Sequence, residues 1–572
     1  MRDEPVAVRR TVFAALAGCA ALGLLWLCWR ALAPGGWTVW EAAILLAFAG
    51  TLPWSAIGVA NAAIGLALLL WHRDPPGAVM PQLRAPPVTP PLRTALVACV
   101  RNEAMDAVLP PLVRLLDGLE AAGEGGRFIL WVLSDTQDPA HAAREEAAVA
   151  ALAAARAGRA CPVRYRRRAG NAGYKAGNVM EFLDRHAAGL DLFLCLDADS
   201  EMSPAAVLRL RRCMEADPRL AIVQPLIVGR PARAAFPRLF QFGMRAGMRA
   251  WATGQAWWQG DEGPYWGHNA MVRIVPFREH ARLETLPDGR AILSHDQLES
   301  VRLQAAGWKV RALPVEEGSL EANPPALPDF LARDLRWGEG NMQYGQLLRL
   351  PGLRPMGRWQ LLQAILLFLG APLWVLILLA AVLNVLTGGA EATPRGALAL
   401  LLGLGWVAYH APKLAGYLEV LLKPRLAAAY GGRARFAGGA LAEIAFTLFL
   451  EPISLLNKAR LLVLLPFGWR GGWRPQQRAD RGVSWGDAWR LLWPQTLLGL
   501  GGAGLLAAHS AAPLLWALPF LAGPVLAVPF CVLTAEPGLS RALERRGIAA
   551  TPEELAAGLS CPGAPAHHPR QP

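Results

Sequence analysis

Paired cysteines are absent from this chain. Its eight cysteines are scattered over 572 residues without a single C-x-x-C, which excludes a zinc knuckle and argues against a disulfide framework. Charge is scarce as well: 18% of residues are charged, 54% are hydrophobic and mean hydropathy is positive, the composition of a chain with several membrane spans. No basic–aromatic module of a nucleic-acid-binding type is present. The net charge of +13 is therefore assigned to basic loops flanking apolar spans, and no nucleic-acid partner is expected.

The first apolar run, residues 12–33, is long enough for a bilayer core of roughly 30 Å. It follows Arg9 and Arg10 and has no small-residue cleavage site, so it reads as an anchor and not as a signal peptide. A second run, 42–71, is interrupted by Pro53 and ends at His72 and Arg73. Both basic flanks then lie on one side, which the positive-inside rule makes cytosolic. Further runs cover 359–386, 397–422, 489–508 and 512–533. The stretch TGGAEATP between the first two of these has no basic residue, whereas the loop after 422 holds Lys423, Arg425, Arg433 and Arg435. The region 436–467 is apolar but contains Glu443, Glu451, Pro452, Lys458 and Arg460, a poor lipid-facing span. It is expected to be interfacial, re-entrant or the lining of a cavity. Six to eight transmembrane or re-entrant helices follow, and no inverted repeat of the transporter kind is evident among them.

Between the membrane runs the texture changes. Residues 74–93 (DPPGAVMPQLRAPPVTPPLR) form a stiff Pro-rich linker, and 94–350 alternate short apolar runs (TALVACV, RFILWVLSD, LDLFLCLDAD) with Ala/Leu/Arg helical stretches. The expected organisation is membrane helices at 1–73, the linker, a cytosolic α/β domain at 94–350 with a mainly parallel sheet, a membrane domain at 351–534 and a polar tail at 535–572 whose end is disordered.

Several residues of the α/β domain carry chemistry. Asp197 and Asp199 follow the strand DLFLCL, where paired carboxylates suit Mg²⁺ or Mn²⁺ together with phosphate oxygens; read alone, exposed acids at a strand end fit equally well. Asp135 ends another strand, as a loop-starter or as an acceptor for a nucleotide base N–H. The loop RRRAGNAGYKAGN brings Arg166, Arg167, Arg168, Lys175 and Asn178 onto glycine-interrupted backbone, either a solvated basic loop or a clamp for diphosphate and base. Asp296 opens an amphipathic helix, where the helix dipole favours an acid and a general base is the other reading. Glu299, one turn on, supports that helix. His295 is read as a packing or orienting residue, because no second histidine stands at ligand spacing. Finally, RDLRWGEGN at 333–341 offers either a membrane-interface anchor or a sugar platform.

Taken in order, these motifs resemble the processive family-2 glycosyltransferases, GT-A-fold membrane synthases of the cellulose and hyaluronan type. YWGHNAMVRIVPF, ILSHD, AGWKV, PPALPDFLARDLRWGEGN and SWGDAW narrow the likeness to the branch that makes osmoregulated periplasmic glucans. Ser294-His295-Asp296 stands where cellulose synthases show TED, so a cellulose product is not the expectation.

The resemblance implies a cytosolic GT-A domain inserted in a polytopic helical membrane domain of the bacterial inner membrane. It implies inverting transfer from UDP-glucose to a growing β-glucan that is then moved across the bilayer. Asp135, Arg168, Lys175, Asn178 and Asp197 would bind the nucleotide sugar, and Asp197 and Asp199 would hold Mg²⁺ or Mn²⁺. Asp296 would be the base, Arg336 would pair with the leaving diphosphate, and Trp337 would stack on the acceptor sugar beside His268 and Asn269. Acyl carrier protein enters as a partner only through the resemblance. A cellulose-like synthase, a non-processive lipid-phosphate glycosyltransferase and a transporter with a degenerate nucleotide domain are the competing readings.

Overall fold

The computed structural model describes residues 5–286, 288–469 and 481–558. Most of the basic loop expected at 469–481, and the tail end expected to be disordered, lie outside the described residues. Two long apolar helices come first, α1 (Val6–Leu32) and α2 (Val39–Trp71). Thr38 and Glu41 close a reciprocal capping box at the start of α2. The basic end of α1 rests on the α/β domain: Arg10 pairs with Glu262 at 2.5 Å, and Phe13 stacks on Trp258 with ring centroids 4.0 Å apart.

The Pro-rich linker is not free of the core. Asp74 caps a short helix (Pro75–Val79), and Met80 is fully buried beneath the sheet.

The α/β domain follows in chain order: β1 (Thr94–Val100), α3 (Met105–Ala121), β2 (Phe128–Ser134), α4 (Pro139–Ala155), β3 (Val163–Arg167), α5 (Tyr174–Arg185), β4 (Leu192–Asp197), β5 (Glu201–Met202), α6 (Pro204–Ala216), β6 (Leu220–Pro225), β7 (Val228–Gly229), α7 (Ala235–Gln259), β8 (Ala270–Arg273), α8 (Asp296–Ala305), β9 (Lys309–Leu313), β10 (Ser319–Glu321) and α9 (Leu327–Leu347). The main sheet has the order β3-β2-β1-β4-β8-β6-β9, and only β8 runs antiparallel to its neighbours. A small sheet, β5-β10-β7, stands beside it.

Strand residues alternate between two buried layers. Leu96, Leu130 and Leu194 pack toward α3 and α6, while Val97, Leu133 and Phe193 pack toward α5. Burial on both faces is why these strands read as continuous apolar runs. This is a GT-A-like fold.

Beyond it lie α10 (Pro355–Leu386), α11 (Arg395–Tyr409), α12 (Ala411–Leu422), α13 (Arg433–Leu464), α14 (Trp485–His509), α15 (Ala511–Val525), α16 (Ala527–Thr534), α17 (Pro537–Arg546) and α18 (Pro552–Ala556). Among the described residues five helices are long and apolar enough to cross a membrane, or up to seven counting each bent pair as one span. The runs expected as straight spans at 397–422 and 512–533 are those pairs, bent by 74° between α11 and α12 and by 55° between α15 and α16.

Most of the region 436–467 lies in one continuous helix, α13, which with the turn after it is long and apolar enough to cross a membrane. Glu443, Thr447, Glu451, Ser454 and Lys458 recur three or four residues apart, so one face of α13 gathers them against a cavity of about 270 Å³.

The described part of the tail folds back onto α7. Arg238, whose side chain is fully buried, pairs with Glu554 at 2.6 Å, and Arg245 pairs with Glu553 at 2.5 Å. All seven described cysteines are free.

Candidate active site

The C-terminal edge of the main sheet collects the polar residues. β2 ends at Ser134, and Asp135 follows it, buried. The guanidinium of Arg168, just past β3, donates from Nε to Asp135 Oδ1 and from Nη2 to Oδ2 at 2.9 Å. Arg168 also donates to the carbonyls of Ala172 at 2.8 Å and Tyr174 at 2.7 Å, so one buried ion pair shapes the loop that leads into α5. That loop presses on the first turn of α5: a Cβ on Gly177 would stand 2.1 Å from the Ala172 carbonyl oxygen. Asn178 is buried against β2. Its amide reaches the Leu133 carbonyl at 3.4 Å, and its own carbonyl accepts from Arg166 at 2.9 Å. Asp135, Arg168 and Asn178 are thus braced together, with Arg166, Arg167 and Arg185 lining an open basic groove beside them.

Lys175, in the first turn of α5, is aimed inward. Its ammonium donates to Asp197 Oδ1 and, at 2.9 Å, to the carbonyl of Gly267. Burial is the largest single influence and disfavours its charge, but Asp197, Cys195 and Cys99 together hold the lysine pKa above its ordinary value. Asp197 and Asp199, at the end of β4, are both half-buried. No cluster of three or more His, Cys, Asp or Glu able to hold a metal occurs among the described residues. The carboxylates of Asp197 and Asp199 suit a hard cation that takes its other ligands from a substrate diphosphate and water.

His268 lies 3.9 Å from Asp197, donates from Nε2 to Glu321 at 2.9 Å, and donates from Nδ1 to the Trp266 carbonyl at 3.1 Å. Burial works against the imidazolium; Asp197 and Glu321 overcome it and raise the His268 pKa to about 9. Asn269 does not face the cleft. It is fully buried with φ of 54°, and its amide donates to Ser319 at 3.2 Å and to the Leu320 carbonyl at 3.3 Å. Its side chain thereby ties β8 to β10 and holds the neighbouring His268.

Asp296 is the first residue of α8 and stands against Gly267: a Cβ on that glycine, which has φ of 83°, would come within 3.3 Å of the Asp296 Cβ. The base candidate and Lys175 therefore meet the same glycine from two sides. α9 clamps the segment that carries Asp296. Tyr344 donates to the Ser294 carbonyl at 2.9 Å, and Gln343 accepts from the Leu293 amide at 2.8 Å. One turn into α8, Glu299 pairs with His295 at 2.9 Å.

The arginine–tryptophan motif lies on α9. Trp337 is 50% exposed, and the guanidinium of Arg333 lies 4.6 Å from its ring centroid. Arg333 is buried near Glu321, Asp334 and Asp199; burial lowers its pKa against those three acids. Arg336 lies half-buried on the same helix.

Two functional neighbours escape a reading of the sequence. Glu321 shows only as one acid in VEEGSLEAN. Arg333 is legible as part of the motif, yet only packing shows that this arginine covers the Trp337 ring. For His295 the signal is present in sequence, since Glu299 stands one helical turn away.

Known proteins match this chain over nearly its full length. A glucans biosynthesis glucosyltransferase H of Xylella fastidiosa is 32% identical over 97% of this chain and 90% of its own. The chain belongs to the glucans biosynthesis glucosyltransferase H family. A family member of Caulobacter vibrioides is 34% identical over 92% of this chain and 82% of its own. Residues 192–409 also match the model of glycosyl transferase family group 2. The chain is a glycosyltransferase, as its motif order implies. Among solved structures, a mannosyltransferase of Pyrobaculum calidifontis in complex with GDP-Man and Mn²⁺ aligns at 17% identity with a TM-score of 0.37, over 64% of this chain and 99% of that one. YWGHNA and LSHD, two of the stretches that carry the resemblance, meet at Gly267 and Asp296.

Proposed function

We propose that this chain polymerises glucose from UDP-glucose into a β-glucan backbone and passes the product across the bacterial inner membrane, with its catalytic domain on the cytosolic side. The observation that carries the reading is the convergence of Lys175, Asp197, His268 and Asp296 around Gly267. They share one edge with the diphosphate-type carboxylates, and the helix that bears Trp337 is bonded to the Asp296 segment. Sidedness rests on α1, whose basic first turn contacts the α/β domain, because positive charge near a span marks the cytosolic side.

In this reading the Asp135–Arg168 pair and Asn178 form the wall against which the uridine packs, and the loop they shape presents backbone to the ribose. Lys175 neutralises the diphosphate and also keeps Asp197 oriented. A divalent cation, Mg²⁺ or Mn²⁺, held by Asp197 and Asp199 would supply Lewis-acid charge stabilisation for the departing UDP. Asp296 takes the proton from the acceptor hydroxyl as that oxygen attacks the anomeric carbon opposite the diphosphate. Bond formation and loss of UDP occur in one displacement, which inverts an α-linked donor to a β-glucoside. Arg336 pairs with charge developing on the leaving group. Trp337 lays one ring face on the acceptor pyranose while Arg333 supports the ring. His268, held doubly protonated by Asp197 and Glu321, donates to acceptor or phosphate oxygen. The cavity between α10, α12 and α13, with Lys413, Glu443, Glu451 and Lys458 on its wall beside Trp54 and Trp374, offers a polar route through the membrane domain. Acyl carrier protein as a partner rests on family likeness alone.

The test supplies inverted membrane vesicles with Mg²⁺, acyl carrier protein and separate labelled UDP-sugars, and sizes the product. Polymer from UDP-glucose, lost in Asp296→Asn and Trp337→Ala with UDP binding retained, is the expected result. Single-sugar lipid products would overturn polymerisation, and incorporation from another donor would overturn the sugar.

A further inference from the structure

The acid inside the arginine–tryptophan motif faces away from the cleft. Asp334 is buried, and Ser454 of α13 donates to its Oδ2 at 2.9 Å. The ammonium of Lys458, one turn further along α13, lies 3.2 Å from the same oxygen. Asn457 reaches the Leu331 carbonyl at 3.4 Å. At Gly338 a Cβ would come 2.5 Å from Leu461 Cδ2 and 3.1 Å from Phe368 Cδ1, so side chains of α13 and α10 fill the space that α9 leaves at this glycine. One stripe of α13 (454, 457, 458, 461) thus docks one stripe of α9 (331, 334, 338), while Trp337 looks outward.

Two of these α13 residues have a second role. Ser454 and Lys458 also line the cavity of about 270 Å³. A buried carboxylate needs its charge partner, so Asp334 cannot stay where it is without them. A chain of sugar hydroxyls passing the cavity wall offers oxygen acceptors to the same ammonium and hydroxyl.

We infer that Lys458 and Ser454 are positioning residues that set the acceptor platform of α9 from the wall of the membrane cavity, and that product length is determined there. The inference rests on the polymerase reading of the site. It goes beyond it in assigning a length-setting contact outside the residues that touch donor and acceptor. Loss of the contact lets the Trp337 helix shift, so the acceptor end is released sooner.

The test uses the full chain in inverted vesicles and compares wild type with Lys458→Met, Asp334→Asn, the double variant and Lys458→Arg. Both single variants are expected to shorten the mean product about threefold to tenfold and to raise the acceptor KM, with the KM for UDP-glucose little changed; the double variant is no shorter than either, the mark of a shared contact. Lys458→Arg restores length. Ser454→Ala, a smaller change, gives a weaker shortening if Lys458→Met fails to insert. Additive effects, or wild-type length in Asp334→Asn, would overturn the inference. Wild-type polymer that stays outside the vesicles, with the variants still shortening it non-additively, would sink the export route and leave the positioning contact standing.

Discussion

The imidazole of His268 and the carboxylate of Glu321 meet at 2.9 Å from segments 53 residues apart, one before β8 and the other in β10 of the small sheet. The small sheet therefore reaches into the site through a charged contact. Replacing Glu321 by Gln keeps the shape and removes the charge. A hydrogen bond to a charged group contributes about 1.5–3 kcal/mol, so kcat/KM should fall ~10- to 150-fold. Steady-state rates on Glu321→Gln, His268→Asn and the double variant check it. A double variant much worse than either single one would show that the two residues act separately.

His295 makes stability depend on pH. Burial opposes its charge, but Glu299 prevails and lifts its pKa to about 8 in the folded chain. The unfolded value is about 6.5, so the pair stabilises the fold fully below that and the contribution fades as pH rises toward 8. Melting temperature in detergent should decline across that window in the wild type and less in Glu299→Gln. Parallel profiles for the two proteins would rule out the pair as the cause.

Helix α7 crosses the membrane helices at glycine. A Cβ on Gly254 would stand 2.1 Å from the Asn61 carbonyl oxygen of α2, and one on Gly65 would stand 1.9 Å from that of Ala250. Neither oxygen can retreat without bending a helix. Gly254→Ala should therefore destabilise by about 1–3 kcal/mol through overpacking, seen as a lower melting temperature and a poorer yield of folded protein. An unchanged melting temperature would mean that the two helices separate freely.

Removing the chain after residue 551 takes Glu554 from Arg238 and Glu553 from Arg245, which keeps its second partner, Glu316. The guanidinium of Arg238 is buried, and leaving such a charge unpaired costs about 3–5 kcal/mol. Thermal unfolding of that truncation should show the loss. Adding Arg238→Met to the truncation should recover part of it; recovery is absent if the pair contributes nothing.

Much of the membrane architecture was legible in hydropathy, because an apolar run of about twenty residues has few alternatives to a membrane helix. The bends between α11 and α12 and between α15 and α16 were not. His410 at the first break pairs with Glu451, which lies on another helix, and a contact of that kind leaves no local mark. The polar residues of α13 appeared as faults in a span until their common face and their partners were visible.

By itself the sequence determined the alternation of strands and helices, three strands of the α/β core, the carboxylates at the end of β4, the acid at the start of α8 and the RDLRW motif. Each depends on periodicity or on a residue type within a few positions, and such information is local. Only the tertiary structure decided that Arg168 occupies both oxygens of Asp135, that Asn269 is a tether while His268 faces the site, and that Arg333 supports Trp337. It also decided that Glu321 and Asp334 have their partners far along the chain. Those choices depend on which side chains share a buried volume, and a buried charge takes whichever partner the packing brings within reach.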